Sequence, residues 1–238
     1  MTYELLPEYA QLKDFLLSLP QKFENGEGVL IHSGRNQLRR FEVDGISLVV
    51  KSYRRPNLVN RFVYGLLRAS KAKRSIQHAQ TLMKLGIETP PPVGYVNIRR
   101  FGLFDRSFLV TRTSACTHHY AEIINAPDAY DDVLRVVAWS TARMHEAHLR
   151  HLDYSRGNIL FRRDDEGRAH VELIDLNRMR KGNVGIEMGC KNFERLPATP
   201  HMHRIMAEVY ARERGLDAER CYDLMQQARR RVIDGEEY

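Results

Sequence analysis

The sequence predicts an α+β protein of two lobes, with an antiparallel strand-rich first half and a short, mostly helical second half. Three observations carry this. Closely spaced strand-like segments fill the first half, one pair of them joined by Asp44-Gly45. Helical periodicity dominates after about residue 130. The length, 238 residues, suits a two-lobed unit with a buried core.

In chain order, Tyr9, Leu12, Phe15 and Leu16 form an apolar helical pattern expected to stop before Pro20. Gly28 to His32 reads as an apolar strand, Gln37 to Val43 alternates, and Ile46 to Tyr53 is rich in β-branched residues. Asn57 to Ala69 reads as a basic amphipathic helix, and Lys71 to Leu85 as a helix ended by Gly86. After the extended Pro90-Pro91-Pro92, strands are expected over Val93 to Ile98 and Ser107 to Thr113, joined around Gly102. Asp131 to His148 is a long helix carrying the sole tryptophan, Trp139. Short strands over Asn158 to Phe161 and His170 to Ile174 flank a polar turn, and helices follow over Ile205 to Arg214 and Ala218 to Val232. The expected division is a helical segment over residues 1–24, a first lobe over 25–113 and a second lobe over 114–238.

Composition narrows the function classes. An apolar fraction of 43% with mixed charges argues for a globular, soluble chain. No run approaches the roughly 20 apolar residues that cross a bilayer, and Met1 to Leu6 lacks the pattern of a secretory signal. Cys116, Cys190 and Cys221 form no C-x-x-C pair, which suits reduced thiols in the cytosol. The net charge of +7 is concentrated: Gly45 to Ile87 holds nine Lys or Arg and no Asp or Glu. A polyanion, an anionic membrane surface or a phosphorylated substrate would each answer to that block, as would a solvated face with no partner. Arg54, Arg55, Arg61 and Arg68 beside an apolar stripe suit peripheral membrane contact. Aromatic residues are not interleaved with the block as stacking platforms, so nucleic acid is not the expected partner.

The chemistry lies in His151-Leu152-Asp153, with Asn158 five residues after the aspartate, and in Ile174-Asp175-Leu176. Asp153, on a loop after a long helix, can orient a hydroxyl and take its proton, while Asn158 and Asp175 offer the hard oxygen ligands Mg²⁺ prefers. The spacing H-x-D-x-x-x-x-N matches the catalytic loop of protein kinases, and a later strand-end aspartate matches their metal ligand. Lys51, ending the strand Ser47-Leu48-Val49-Val50, suits the residue that grips ATP phosphates. The fold class is therefore a two-lobed protein-kinase-like fold with ATP and Mg²⁺ as cofactors. His151 is expected to brace the catalytic loop from inside, and Thr111 joins the nucleotide-binding candidates. Two elements depart from the pattern. His32-Ser33-Gly34-Arg35-Asn36 supplies one glycine for a phosphate loop, leaving Gly34, Arg35 and Asn36 to cover the phosphates. The helix from Lys71 holds no glutamate to pair with Lys51, so Gln77, Gln80 or Glu88 is the substitute. The spacing of His145, His148 and His151 also admits a zinc site.

At these residues the chain resembles the Kdo/WaaP-type lipopolysaccharide kinases, relatives of protein kinases that phosphorylate inner-core sugars. The likeness runs from about Gly34 to Leu196. It includes Gly34-Arg35-Asn36, Arg54-Arg55-Pro56-Asn57-Leu58, Leu85-Gly86-Ile87, His151 to Ser155, Gly157 to Leu160, Leu173 to Arg178 and Gly189 to Phe193. The resemblance implies a phosphotransferase with an alcohol acceptor, a Kdo or heptose hydroxyl of a lipid-linked sugar, acting in the cytoplasm with peripheral contact at the inner face of the membrane. It implies Asp153 as base, Asn158 and Asp175 as Mg²⁺ ligands and Lys51 on the ATP phosphates. Arg156 stands where relatives often have proline and is placed to meet an anionic substrate. A minimal atypical protein kinase and a nucleotide-binding pseudokinase scaffold are the alternatives.

Overall fold

Six strands of the first half join one antiparallel sheet in the order β1-β5-β6-β4-β3-β2: β1 Thr2–Leu5, β2 Val29–Ser33, β3 Gln37–Val43, β4 Ile46–Tyr53, β5 Pro92–Arg100 and β6 Leu103–Arg112. The computed structural model describes residues 1–55 and 69–235. The helix read over Asn57 to Ala69, with Arg61 and Arg68, lies outside the described residues apart from Ala69. The chain divides into two compact units, Met1–Thr81 with Pro90–Ser114, and Leu82–Thr89 with the chain from Ala115 onward.

Local chemistry sets the first unit's turns. Asp44 (φ 51°) and Gly45 (φ 73°) make the two-residue turn between β3 and β4, the left-handed pair that matches strand twist. Phe101 (φ 54°) and Gly102 (φ 76°) repeat it between β5 and β6. Alternation then assigns the faces. Leu48, Val50, Phe108 and Val110 point to one side and pack with Leu12, Leu16, Leu19 and Phe23.

Three of those four side chains belong to helix α1, Lys13–Glu24, which continues through Pro20 where a stop was expected. A proline inside a helix costs about 3 kcal/mol. Burying each of Leu16, Leu19 and Phe23 returns roughly 1.5–3 kcal/mol, so packing wins. The opening residues are also not wholly helical, since Tyr3 and Glu4 of β1 pair with Val96 and Tyr95 of β5. The apolar segment read over Gly28 to His32 is strand β2, and all five of its residues are exposed at the sheet edge.

The opposite sheet face carries Lys51, Tyr53, Leu109 and Thr111, since Lys51 pairs with Leu109 and Val49 with Thr111. Helix α2, Lys71–Lys84, lays Ala72 and Ile76 on Tyr53 and Tyr95 there. Tyr53 Oη also shares a 3.1 Å hydrogen bond with Ser75.

In the second unit, α3 Asp131–Glu146 packs on α5 Pro200–Arg214, and α5 on α6 Ala218–Asp234. A short α4, Ile186–Lys191, meets α6. Thr199 accepts from the Met202 N–H to start α5, and Asp217 accepts from the Arg220 N–H to start α6, which satisfies donors that helix ends leave open. Short ribbons complete the unit: β9 Ile159–Arg163 pairs with β10 Ala169–Leu173 and with β7 His118–His119, and β8 Leu149–His151 pairs with β11 Met179–Lys181. His148, at φ 56°, turns the chain out of the region following α3 and into β8.

Candidate active site

The ribbons of the second unit place the catalytic-loop residues. His151 ends β8 and is wholly buried. Its Nδ1 accepts the Asp153 N–H at 3.1 Å, so its Nε2 carries the proton and donates to the Ile174 carbonyl at 3.0 Å. One neutral imidazole thus ties the loop bearing Asp153 to the segment bearing Asp175. Asn158 adds a second tie: its Nδ2 donates to the Asp153 carbonyl at 2.7 Å, and its own carbonyl accepts the Ile174 N–H at 3.0 Å. Because Ile159 pairs with Leu173, Asn158 and Asp175 flank the same end of the β9–β10 ribbon.

Asp175 occupies the left-handed region at φ 58° and ψ 45°, a conformation that aspartate tolerates better than most residues. Its Oδ1 accepts from Asn177 Nδ2. The amide of Asn158 donates through nitrogen, so its Oδ1 remains the acceptor end, and Asp175 follows the strand end that flanks it. This donor set fits Mg²⁺, a hard cation that takes one or two protein oxygens and completes its shell with water and phosphate.

Arginines hold the Asp153 carboxylate. Arg195 Nη1 lies 2.6 Å from Oδ1 and Arg178 Nη1 3.3 Å from Oδ2. Burial pushes the carboxyl up, but the hydrogen bond and charge of Arg195, aided by Arg178, outweigh it and hold the group below the ordinary carboxylate range.

A buried relay fixes the loop from behind. Asn192 Nδ2 donates to the His151 carbonyl at 2.9 Å, while its Oδ1 accepts from His145 Nε2 at 3.0 Å. His145 Nδ1 in turn accepts from the Tyr210 hydroxyl at 2.8 Å, and Tyr210 accepts from Arg214. Burial, the dominant effect, lowers His145 to about 4, so it stays neutral and serves the relay. These bonds overturn the zinc alternative for His145, His148 and His151. Among the described residues no three His, Cys, Asp or Glu side chains group to hold a metal.

In the first unit, Gly34, Arg35 and Asn36 form the loop between β2 and β3, closed by the Gly34 N–H on the Asn36 carbonyl at 3.2 Å. Asn36 Oδ1 accepts the Arg54 N–H at 3.2 Å. Lys51 Nζ lies 5.4 Å from the Tyr53 ring centroid, and Thr111 shares its sheet face. Of the substitutes for the missing glutamate, Gln77 is exposed. Glu88 pairs with His170 Nδ1 at 2.7 Å, within the second unit.

Arg195 and Asn192 were not assigned roles from sequence. Arg195 sits 42 residues from Asp153, between helices, where no spacing rule applies. Asn192 falls in the Gly189 to Phe193 run without a residue type that announces chemistry.

The fold and the catalytic loop define a kinase of the protein-kinase-like fold. The model of the lipopolysaccharide kinase (Kdo/WaaP) family matches residues 22–208, and the chain belongs to that family. It is accordingly a phosphotransferase that acts on a sugar hydroxyl of lipopolysaccharide. A solved structure described as WaaP in complex with acyl carrier protein matches with a TM-score of 0.69 at 17% identity, covering 100% of both chains. No curated protein matches the sequence.

Proposed function

We propose that the protein transfers the γ-phosphoryl group of ATP, with Mg²⁺, to a Kdo or heptose hydroxyl of the lipid-linked inner core. The observation that carries this reading is the double tethering of the Asp153 loop, by His151 to the Ile174 carbonyl and by Asn158 to the Asp153 carbonyl. Such tethering fixes a base against its metal-binding partners before substrate arrives, and phosphoryl transfer depends on positioning more than on covalent chemistry by the protein.

In this reading Asp153 orients the acceptor hydroxyl and takes its proton, and His151 holds Asp153 in place. Asn158 Oδ1 and the Asp175 carboxylate hold Mg²⁺. When bound, the metal neutralises charge on the phosphates. Lys51 and Thr111, with Gly34, Arg35 and Asn36, are assigned to the nucleotide. The assigned location is the cytoplasm, with peripheral contact at the inner face of the membrane through the basic block. Membrane contact is checked with anionic liposomes: binding should fall with salt and on charge reversal at Arg54, Arg55 and Arg61.

A phosphotransfer assay with Mg-ATP and purified Kdo-bearing lipid A tests the main claim, with a generic protein as competing acceptor. Transfer to the glycolipid is expected, reduced by several orders of magnitude in Asp153→Ala and Asp175→Ala. Transfer to protein alone would overturn the assignment.

A further inference from the structure

A cavity of about 420 Å³ opens in the second unit, lined by Arg156, Arg195 and Arg229 together with Ser155, Gly157 and Pro197. Among the described residues no carboxylate lines it. Its size falls within the range of small-molecule sites. Its place in the chain is telling: the wall formed by Ser155 to Gly157 begins two residues after the base Asp153 and ends one residue before Asn158. The wall is held in shape, since the Ser155 carbonyl accepts the Asn158 N–H at 2.9 Å. Arg229 is also held, with Nη1 donating to the Glu194 carbonyl at 3.0 Å. Arg195 differs. Its side chain is 44% exposed and pairs with the Asp153 carboxylate, so one residue both lines the cavity and engages the proposed base.

We infer that this cavity receives an anionic group of the acceptor, a carboxylate or a phosphate, and that the anion draws Arg195 away from Asp153. The inference rests on the sugar-kinase reading above and names what that site selects. Three arginines among the lining residues favour a planar or tetrahedral oxyanion, which arginine meets through paired N–H donors. While Arg195 holds Oδ1 and Arg178 approaches Oδ2, both carboxylate oxygens are engaged by arginine, and an acceptor hydroxyl must compete for them. An acceptor that brings its own anion supplies Arg195 with a replacement partner and releases Oδ1. A neutral sugar leaves the pair closed. Arg195 is thus a positioning residue that couples acceptor charge to the readiness of Asp153.

The test compares four lipid A acceptors with the full-length protein and Mg-ATP. They are the intact Kdo-bearing form, a form with the Kdo carboxyl reduced to an alcohol, a form without lipid A phosphates, and a form lacking both anions. For the intact acceptor, Arg156→Ala and Arg229→Ala should raise KM by roughly tenfold or more with kcat little changed, the size expected for one lost charge-assisted contact. Lysine at either position should recover part of the loss. The penalty should vanish with whichever acceptor lacks the recognised anion, which tells carboxylate from phosphate. A penalty that persists on the doubly neutral acceptor, or no penalty on the intact one, overturns the site. For the latch, Arg195→Gln should lower kcat/KM on the intact acceptor and raise it on the neutral one. Equal losses on both overturn it. If the wild-type protein phosphorylates no glycan, the sugar-kinase reading fails, and calorimetry decides the cavity separately. Kdo or inorganic phosphate should bind wild type and Lys51→Met but not Arg156→Ala/Arg229→Ala; binding abolished by Lys51→Met instead, or absent from wild type, overturns the site.

Discussion

At Asp153 two opposed effects meet. Partial burial penalises the carboxylate, and Arg195 at 2.6 Å with Arg178 at 3.3 Å stabilises it and prevails. In the base role proposed for it Asp153 must be ionised, so activity should be lost as pH falls through its folded-state pKa. The wild-type acid limb of kcat/KM therefore lies below the ordinary carboxylate range. Removing Arg195 leaves burial opposed chiefly by Arg178, so Arg195→Gln should move that limb upward in a pH–rate profile of the free enzyme; an unmoved limb would show that Arg195 does not set the base. Asp153, Asn158 and Asp175 stand out in the sequence as candidates because the motif is local: one short segment and one strand end carry their spacing. Arg195 does not, because its pairing is made by tertiary packing across 42 residues of chain.

Among the elements, α4, a helix of six residues, packs against the relay behind the candidate site. Gly189 lies so close to Tyr210 that an added Cβ would overlap the tyrosine hydroxyl. Tyr210 belongs to the relay that ends on the His151 carbonyl. Gly189→Ala should therefore destabilise the second unit by about 1–3 kcal/mol, the usual cost of overpacking, read as a shift of the urea midpoint. Asn192→Ala should cost a similar roughly 1–3 kcal/mol by stranding His145 Nε2 and the His151 carbonyl. It should also lower kcat more than KM at a temperature where the protein stays folded, because the loop that it anchors carries Asp153, the proposed base. The β3–β4 hairpin was readable from Asp44-Gly45, where two adjacent residues dictate the turn. Helix α1 was misread at Pro20 because a local penalty was weighed without the three buried side chains that outweigh it. Strand β2 was readable as a strand from its apolar run, but its place at the sheet edge was not, because edge position is set by which strands pair and not by local sequence.

For the molecule as a whole, stability should depend on pH well above the range where carboxylates titrate. Two buried histidines of the second unit, His145 and His203, are each lowered from 6.5 to about 4, chiefly by burial. Between those values the unfolded chain binds protons that the folded one refuses, so stability is complete above 6.5 and declines as pH falls toward 4. Each histidine contributes a slope of up to about 1.4 kcal/mol per pH unit. The two differ in what burial gives them. His145 joins the relay, whereas both ring nitrogens of His203 are buried with no hydrogen-bond partner among the described residues. An unsatisfied buried polar group costs about 1–3 kcal/mol. His203→Leu should then hold or raise the urea midpoint at pH 7 and remove about half of the histidine-linked slope between pH 6.5 and 5. Trp139, the sole tryptophan, lies in α3 of the same unit, and its fluorescence reports the unfolding. A His203→Leu protein that loses stability at pH 7 and keeps the wild-type slope would place the pH response elsewhere and assign His203 a partner it was thought to lack.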